Sequence, residues 1–128
     1  MSSVRIGNCS GFYGDRVSAM REMLELAVQP GGTAPRARTM GYRVAGKTGT
    51  AHKLEGGAYA SSKYVASFAG FAPYRSPRIS VLVKIDQPSG GLNLGGQVAA
   101  PAFAKMAGDI MQYLRVPTGR TPSQVAAR

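Results

Sequence analysis

One cysteine, one histidine and no long apolar run set the first limits on this chain of 128 residues. Cys9 has no second cysteine to join, which excludes an internal disulfide. His52 is the sole histidine, so zinc sites and histidine-based triads in cis lack the residues they need. No metal or cofactor is expected. No segment reaches the roughly 18 consecutive apolar residues of a membrane span, and the N-terminus lacks the basic-then-apolar pattern of an export signal. The chain as written is therefore expected to remain cytoplasmic. Acidic residues are few, six against sixteen basic, giving a net charge of +10. The basic residues are scattered. Their densest group is Arg36, Arg38, Arg43 and Lys47, with no basic run of five and no interleaved aromatics, so nucleic acid is not an expected partner. A non-enzymatic module that offers this charge to an anionic polymer stands as an alternative reading.

Glycine is plentiful, at 17 residues, which favours turns and strands over a helical bundle. Residues 1–14 form a Ser/Gly/Asn-rich leader without periodicity. Asp15 can cap a helix running to about Gln29, with Val17, Met20, Met23, Leu24, Ala27 and Val28 along one side, the methionines as core filler. Pro30-Gly31-Gly32 stops it. The spacing then predicts strands over 42–50, 63–71 and 78–87. The second is apolar or small at nearly every position, as for a strand covered on both faces. In the third, Ile79, Val81, Val83 and Ile85 alternate with Ser80, Leu82, Lys84 and Asp86. Residues 88–96 read as a loop. A second helix follows, carrying Val98, Ala99, Ala102, Phe103, Met106, Ala107, Ile110, Met111 and Leu114 at helical spacing. It tolerates Pro101 only in its first turn. Arg115 suits its C-terminal end, Pro117 closes it, and 118–128 reads as a mobile tail. The fold class is α+β, a three-stranded antiparallel meander between two helices over 15–117. Its third strand is left with an open edge, so low stability and self-association are expected.

The chemistry is concentrated in 41–50, GYRVAGKTGT. Residues 41–48 fit the phosphate-loop pattern G-x-x-x-x-G-K-[ST] letter for letter. Such a loop follows a buried strand and opens into a helix, whose N-terminus holds the phosphates. Upstream of 41 lies turn material, and downstream Gly49, Gly56 and Gly57 interrupt any helix. Tyr42, Arg43, Val44 and Ala45 have strand character. A nucleotide-binding loop is therefore the weaker reading, and Lys47-Thr48-Gly49-Thr50 is expected on a strand.

The ordered set of segments resembles the C-terminal part of the transpeptidase domain of class B penicillin-binding proteins, the septal, cell-division type (the penicillin-binding protein 3 family). The segments that carry the likeness are LAVQPGGT (26–33), GYRVAGKTGTA (41–51), KYVASFAGFAP (63–73), PR (77–78) and GGQVAAPAF (95–103). The resemblance implies a partial penicillin-binding/serine β-lactamase-like fold. It also implies peptidoglycan cross-linking, in which a serine attacks the D-Ala-D-Ala bond of a stem peptide and an amine of a neighbouring strand resolves the acyl-enzyme. β-Lactams would trap the same serine. By the same resemblance, the family is anchored in the inner membrane with a periplasmic catalytic domain, and division-site membrane proteins are expected partners.

Carried onto this sequence, the resemblance implies a catalytic role for Lys47, whose charge lies near the serine hydroxyls and the substrate carboxylate. Thr48 and Thr50 would offer hydroxyls to that carboxylate, and the Thr50 N–H would serve the oxyanion hole. Gly49 would admit the substrate backbone. Lys47 and Thr50 have opposite parity, so they meet one ligand only along the strand's edge. His52 would also lie near the carboxylate, where many relatives carry arginine. The nucleophile is the departure. No serine has lysine three residues on, and none has asparagine two residues on, so S-x-x-K and S-x-N are absent from these 128 residues. The expectation is a strand active in its full-length context and inactive alone. The missing N-terminal part of the domain would supply the serine and a strand for the open edge.

Overall fold

The structure, a computed structural model, describes residues 14–119. The leader expected over 1–14 lies outside it except for Gly14, as does the tail expected over 118–128 except for Thr118 and Gly119. The cap expected on Asp15 falls outside the described side chains.

Three strands form one antiparallel sheet in the order β1 (Ala45–Glu55), β2 (Ala58–Ala72), β3 (Ile79–Asp86). Helix α1 (Gly14–Leu26) precedes the sheet and helix α2 (Gly95–Tyr113) follows it. This is the expected α+β meander between two helices. The first two strands are longer than the hydrophobic pattern indicates. They extend towards each other and meet at Gly56-Gly57, whose φ values of +61° and +84° suit a two-residue hairpin turn. The extension has no alternating burial to betray it, because Leu54 and Tyr59 stand opposite each other in solvent. At its other end β1 begins at Ala45, not at Tyr42. Tyr42 instead bridges to Thr39 around Gly41, buries its ring, and donates its hydroxyl hydrogen bond to Val116 O at 2.7 Å.

The register sorts side chains onto two faces. Gly46, Thr48, Thr50 and His52 share the inner face with Ala66, Phe68, Gly70 and Ala72 of β2 and the aliphatic row of β3. Helix α2 packs there, burying Ala99, Ala100, Phe103, Ala107 and Met111. The rings of Phe68 and Phe103 meet at 4.8 Å between centroids, tilted by 58°. On the outer face lie Lys47, Gly49 and Ala51 of β1, then Ser67 and Ala69 of β2, then Leu82 and Lys84 of β3. Ala69 is exposed, so β2 is covered on one face rather than the expected two. Its small outward residues, not burial, produce the continuous apolar run.

Both helices depart from their sequence pattern. Helix α1 ends at Leu26, three residues early, and Met20 and Met23 are 53% and 56% exposed rather than core filler. Periodicity identified the face, but the chain leaves the helix too soon to press that face down. Val28, just past the end, enters the core instead. Gly32 then crosses the helix terminus so closely that a Cβ would stand 2.5 Å from Leu26 O. Helix α2 starts at Gly95, so Pro101 sits in the second turn instead of the first. Proline has no N–H for Gln97 O, and the guanidinium of Arg36 lies 3.5 Å from that carbonyl through Nη1, replacing the missing donor from outside the helix. At the far end Arg115 adopts φ +52° beyond the helix, with Val116 N–H bonded to Met111 O and Arg115 N–H to Gln112 O.

Candidate functional site

β1 is an edge strand, paired with β2 on one side only among the described residues. Its first residues are pinned. Ala45 and Gly46 are buried, and Gly46 lies directly opposite Gly70. From this anchor the strand carries Lys47, Thr48, Gly49 and Thr50 outwards in alternating directions. Lys47 and Thr50 therefore leave on opposite faces, as their parity requires. The lysine reaches back towards the edge: its Nζ donates to Thr48 O at 2.9 Å, while the side chain stays exposed.

Each of the other three residues is held by a partner outside β1. Thr48 Oγ1 lies 3.5 Å from Thr33 Oγ1. Ser67 Oγ donates to Gly49 O at 3.4 Å from the directly opposed position on β2. Thr50 Oγ1 accepts a hydrogen bond of 3.1 Å from the N–H of Gly95, the first residue of α2. His52 lies two residues on, past Ala51 and on the same face as Thr50. Its Nδ1 is 3.0 Å from Ala60 O, and since a carbonyl only accepts, that contact places a proton on Nδ1. The ring rests against Tyr64 at 4.5 Å between centroids. Beyond His52 a bulge at Lys53 shifts the register, and Lys53 reaches Asp86 of β3 at 3.0 Å.

Sequence reasoning found the contiguous strand and missed its supports, Thr33, Ser67 and Gly95. One signal was available for Gly95. Two glycines directly precede an amphipathic helical pattern, and the residue before them, Leu94, has no side chain able to cap a helix. The structure also settles the phosphate-loop pattern, because after Lys47-Thr48 the chain continues as strand to Glu55 and opens into no helix.

A concavity among the described residues lies elsewhere. A shallow hollow of about 630 Å³ runs beside Gln29, Arg38, Tyr42 and Arg43 and includes none of 47–50. Arg43 there is spoken for. It grips both carboxylate oxygens of Glu25 at 2.6 Å and lies 4.5 Å from the centre of the Tyr74 ring. The Glu25 hydrogen bond holds its pKa above the ordinary arginine value, against the opposing effect of burial. We place the candidate site on β1 because two threonine hydroxyls, an exposed lysine and the strand edge lie there. A strand edge presents a groove only when something faces it.

Comparison with known proteins identifies the family. The family model described as penicillin binding protein transpeptidase domain matches residues 12–108. A probable peptidoglycan D,D-transpeptidase PenA of Neisseria gonorrhoeae is 41% identical over 97 residues, which cover 76% of this chain and 17% of that protein. Stage V sporulation protein D of Bacillus subtilis is 42% identical over 97 residues, covering 76% and 15% respectively. Peptidoglycan D,D-transpeptidase FtsI of Escherichia coli is 37% identical over 100 residues, covering 78% and 17%. Among solved structures, the transpeptidase domain of Burkholderia pseudomallei penicillin-binding protein 3 superposes with a TM-score of 0.75 at 46% identity, over 84% of this chain and 32% of that one. The chain thus spans about a sixth of the length of the curated relatives it matches.

Proposed function

This chain belongs to the penicillin-binding protein transpeptidase domain family, of the penicillin-binding protein 3 type, and on that footing we propose that β1 is the substrate-holding strand of a peptidoglycan D,D-transpeptidase. The observation that carries the proposal is the Lys47-Thr48-Gly49-Thr50 edge, with both threonine hydroxyls and the Gly49 carbonyl tied to partners outside β1. An acyl-D-Ala-D-Ala peptide lies along this edge as an added strand. Its terminal carboxylate meets the hydroxyls of Thr48 and Thr50 and the charge of Lys47. Its scissile carbonyl oxygen meets the N–H of Thr50. His52 borders the carboxylate end.

The nucleophile comes from outside these 128 residues, since neither S-x-x-K nor S-x-N occurs in them. Its serine oxygen bonds to the penultimate carbonyl carbon, the C–N bond to D-Ala breaks, and the serine proton leaves on the amine of D-Ala. An amine of a second stem peptide then displaces the ester and returns a proton to the serine. Lys47 steers both proton transfers by holding a positive charge beside the reacting hydroxyls. β-Lactams are the corresponding inhibitors, and membrane proteins of the division site are partners of the whole protein. No helix among the described residues is long and apolar enough to cross a membrane.

The test uses the chain itself, shown to be folded by a thermal melt. N-acetyl-D-alanyl-D-alanine binds weakly and saturably, Lys47→Ala weakens that binding, and intact mass after exposure to benzylpenicillin shows no adduct. A stoichiometric adduct on a serine, or binding indifferent to Lys47→Ala, contradicts the proposal.

A further inference from the structure

Thr50 has a role in the fold that bears on its role at the site. The first N–H groups of a helix have no partner within it, and a side chain at the N-cap position usually accepts from them. In α2 that position is Leu94, which makes no side-chain cap hydrogen bond. The acceptor is supplied from the sheet, where Thr50 Oγ1 receives the Gly95 N–H at 3.1 Å. A hydroxyl has one proton to donate and two lone pairs to accept with. With one lone pair committed to Gly95, its proton is directed away from that amide.

We propose that Gly95 is a positioning residue of the carboxylate subsite: its N–H fixes the Thr50 hydroxyl as a hydrogen-bond donor towards the ligand's terminal carboxylate. The inference rests on the reading of β1 as the substrate-holding strand. A free threonine hydroxyl turns to suit either a donor or an acceptor. The anchored one favours an acceptor, so the subsite prefers a carboxylate to the neutral C-terminal amide, whose NH2 is a donor. Glycine is required for the contact. A Cβ at position 95 would collide with Ser67 O and stand 2.7 Å from Gly49 O, and these two residues are opposed in the β1–β2 register. Any side chain at 95 therefore lifts the start of α2 away from β1 and opens the bond to Thr50. Gly96 is similarly seated, since a Cβ there would collide with Thr33 O, which belongs to the residue that supports Thr48.

The experiment titrates the 15N-labelled 128-residue chain with N-acetyl-D-alanyl-D-alanine and, separately, with its C-terminal amide. When the Thr50 hydroxyl donates to a carboxylate its oxygen becomes a better acceptor, so the Gly95 amide proton moves downfield with the acid and not with the amide. Thr50→Ser keeps this response. Thr50→Val abolishes it and lowers the preference for acid over amide by about tenfold, the scale of one hydrogen bond to a charged group. Gly95→Ala lowers the same preference; should that variant fail to fold, the Ser and Val pair at position 50 still decides. If the amides of 47–50 respond to the acid while Gly95 stays still, and Thr50→Val keeps the preference, this inference is overturned and the strand assignment survives. If no amide of 47–50 responds to either ligand, the strand assignment itself falls.

Discussion

Gly46 of β1 stands opposite Gly70 of β2, and the rings of Phe68 and Phe103 occupy the space that both leave. This pairing joins the site to the core. The strand segment that presents Lys47 to Thr50 emerges from a point of the sheet where the backbone lies against two packed aromatic rings. A Cβ on Gly70 would stand 2.7 Å from Phe103 Cζ and 2.8 Å from Phe68 Cε1. Gly70→Ala therefore forces the ring pair apart and is expected to destabilise the chain by about 1–3 kcal/mol, the usual cost of overpacking. Urea unfolding measures it, and an unchanged midpoint would contradict the packing described.

Thr50 should matter to stability with no ligand present. Thr50→Val removes the acceptor for Gly95 N–H and should cost about 1 kcal/mol, as for loss of a helix cap, whereas Thr50→Ser should cost less. Amide exchange at Gly95 provides the local check, with faster exchange in the Val variant only.

Arg115 offers the opposite sign. Its φ of +52° puts an L side chain in the left-handed region at the close of α2, with Met111 O and Gln112 O bonded beyond the helix end. Arg115→Gly should stabilise by about 0.5–1 kcal/mol, because glycine adopts that conformation without the steric penalty. A lowered melting temperature would contradict this account of the cap.

The Arg43–Glu25 pair has ideal bidentate geometry, but the arginine side chain is 57% exposed. Its coupling energy in a double-mutant cycle should be below about 1 kcal/mol and should shrink with added salt. A large, salt-insensitive coupling would show that the pair is shielded from solvent.

Self-association is expected at micromolar protein. β1 and β3 are both unpaired on one side among the described residues, and Leu82 is 69% exposed on the outer face between Ala69 and the β3 edge. Sedimentation should show association that rises with concentration and falls in Leu82→Lys. A monodisperse monomer over the whole range would contradict it.

The pattern of success in reading the sequence follows from what a linear pattern records. Lys47-Thr48-Gly49-Thr50 is contiguous and chemically unusual, so it was legible, and β3 was legible because Ile79, Val81, Val83 and Ile85 alternate against a real inside and outside. The hairpin arms around Gly56-Gly57 were not, since with both faces in solvent Leu54 and Tyr59 follow no burial rule. The methionines of α1 lay on a recognisable face, but periodicity gives direction and not depth. Thr33, Ser67 and Gly95 were invisible as a set because each reaches β1 from a different part of the chain. Their contacts depend on register and on a helix start that lies inside the stretch 88–96 read as a loop.

The most direct test of the central claim, that ligand chemistry resides on the edge of β1 and not in the hollow beside Arg38 and Arg43, is an amide chemical-shift map of the folded chain titrated with benzylpenicillin. The account predicts shifts concentrated at Lys47, Thr48, Gly49, Thr50 and Gly95, all reduced by Lys47→Ala. Shifts centred instead on Gln29, Arg38 and Tyr42, and unaffected by Lys47→Ala, would contradict it.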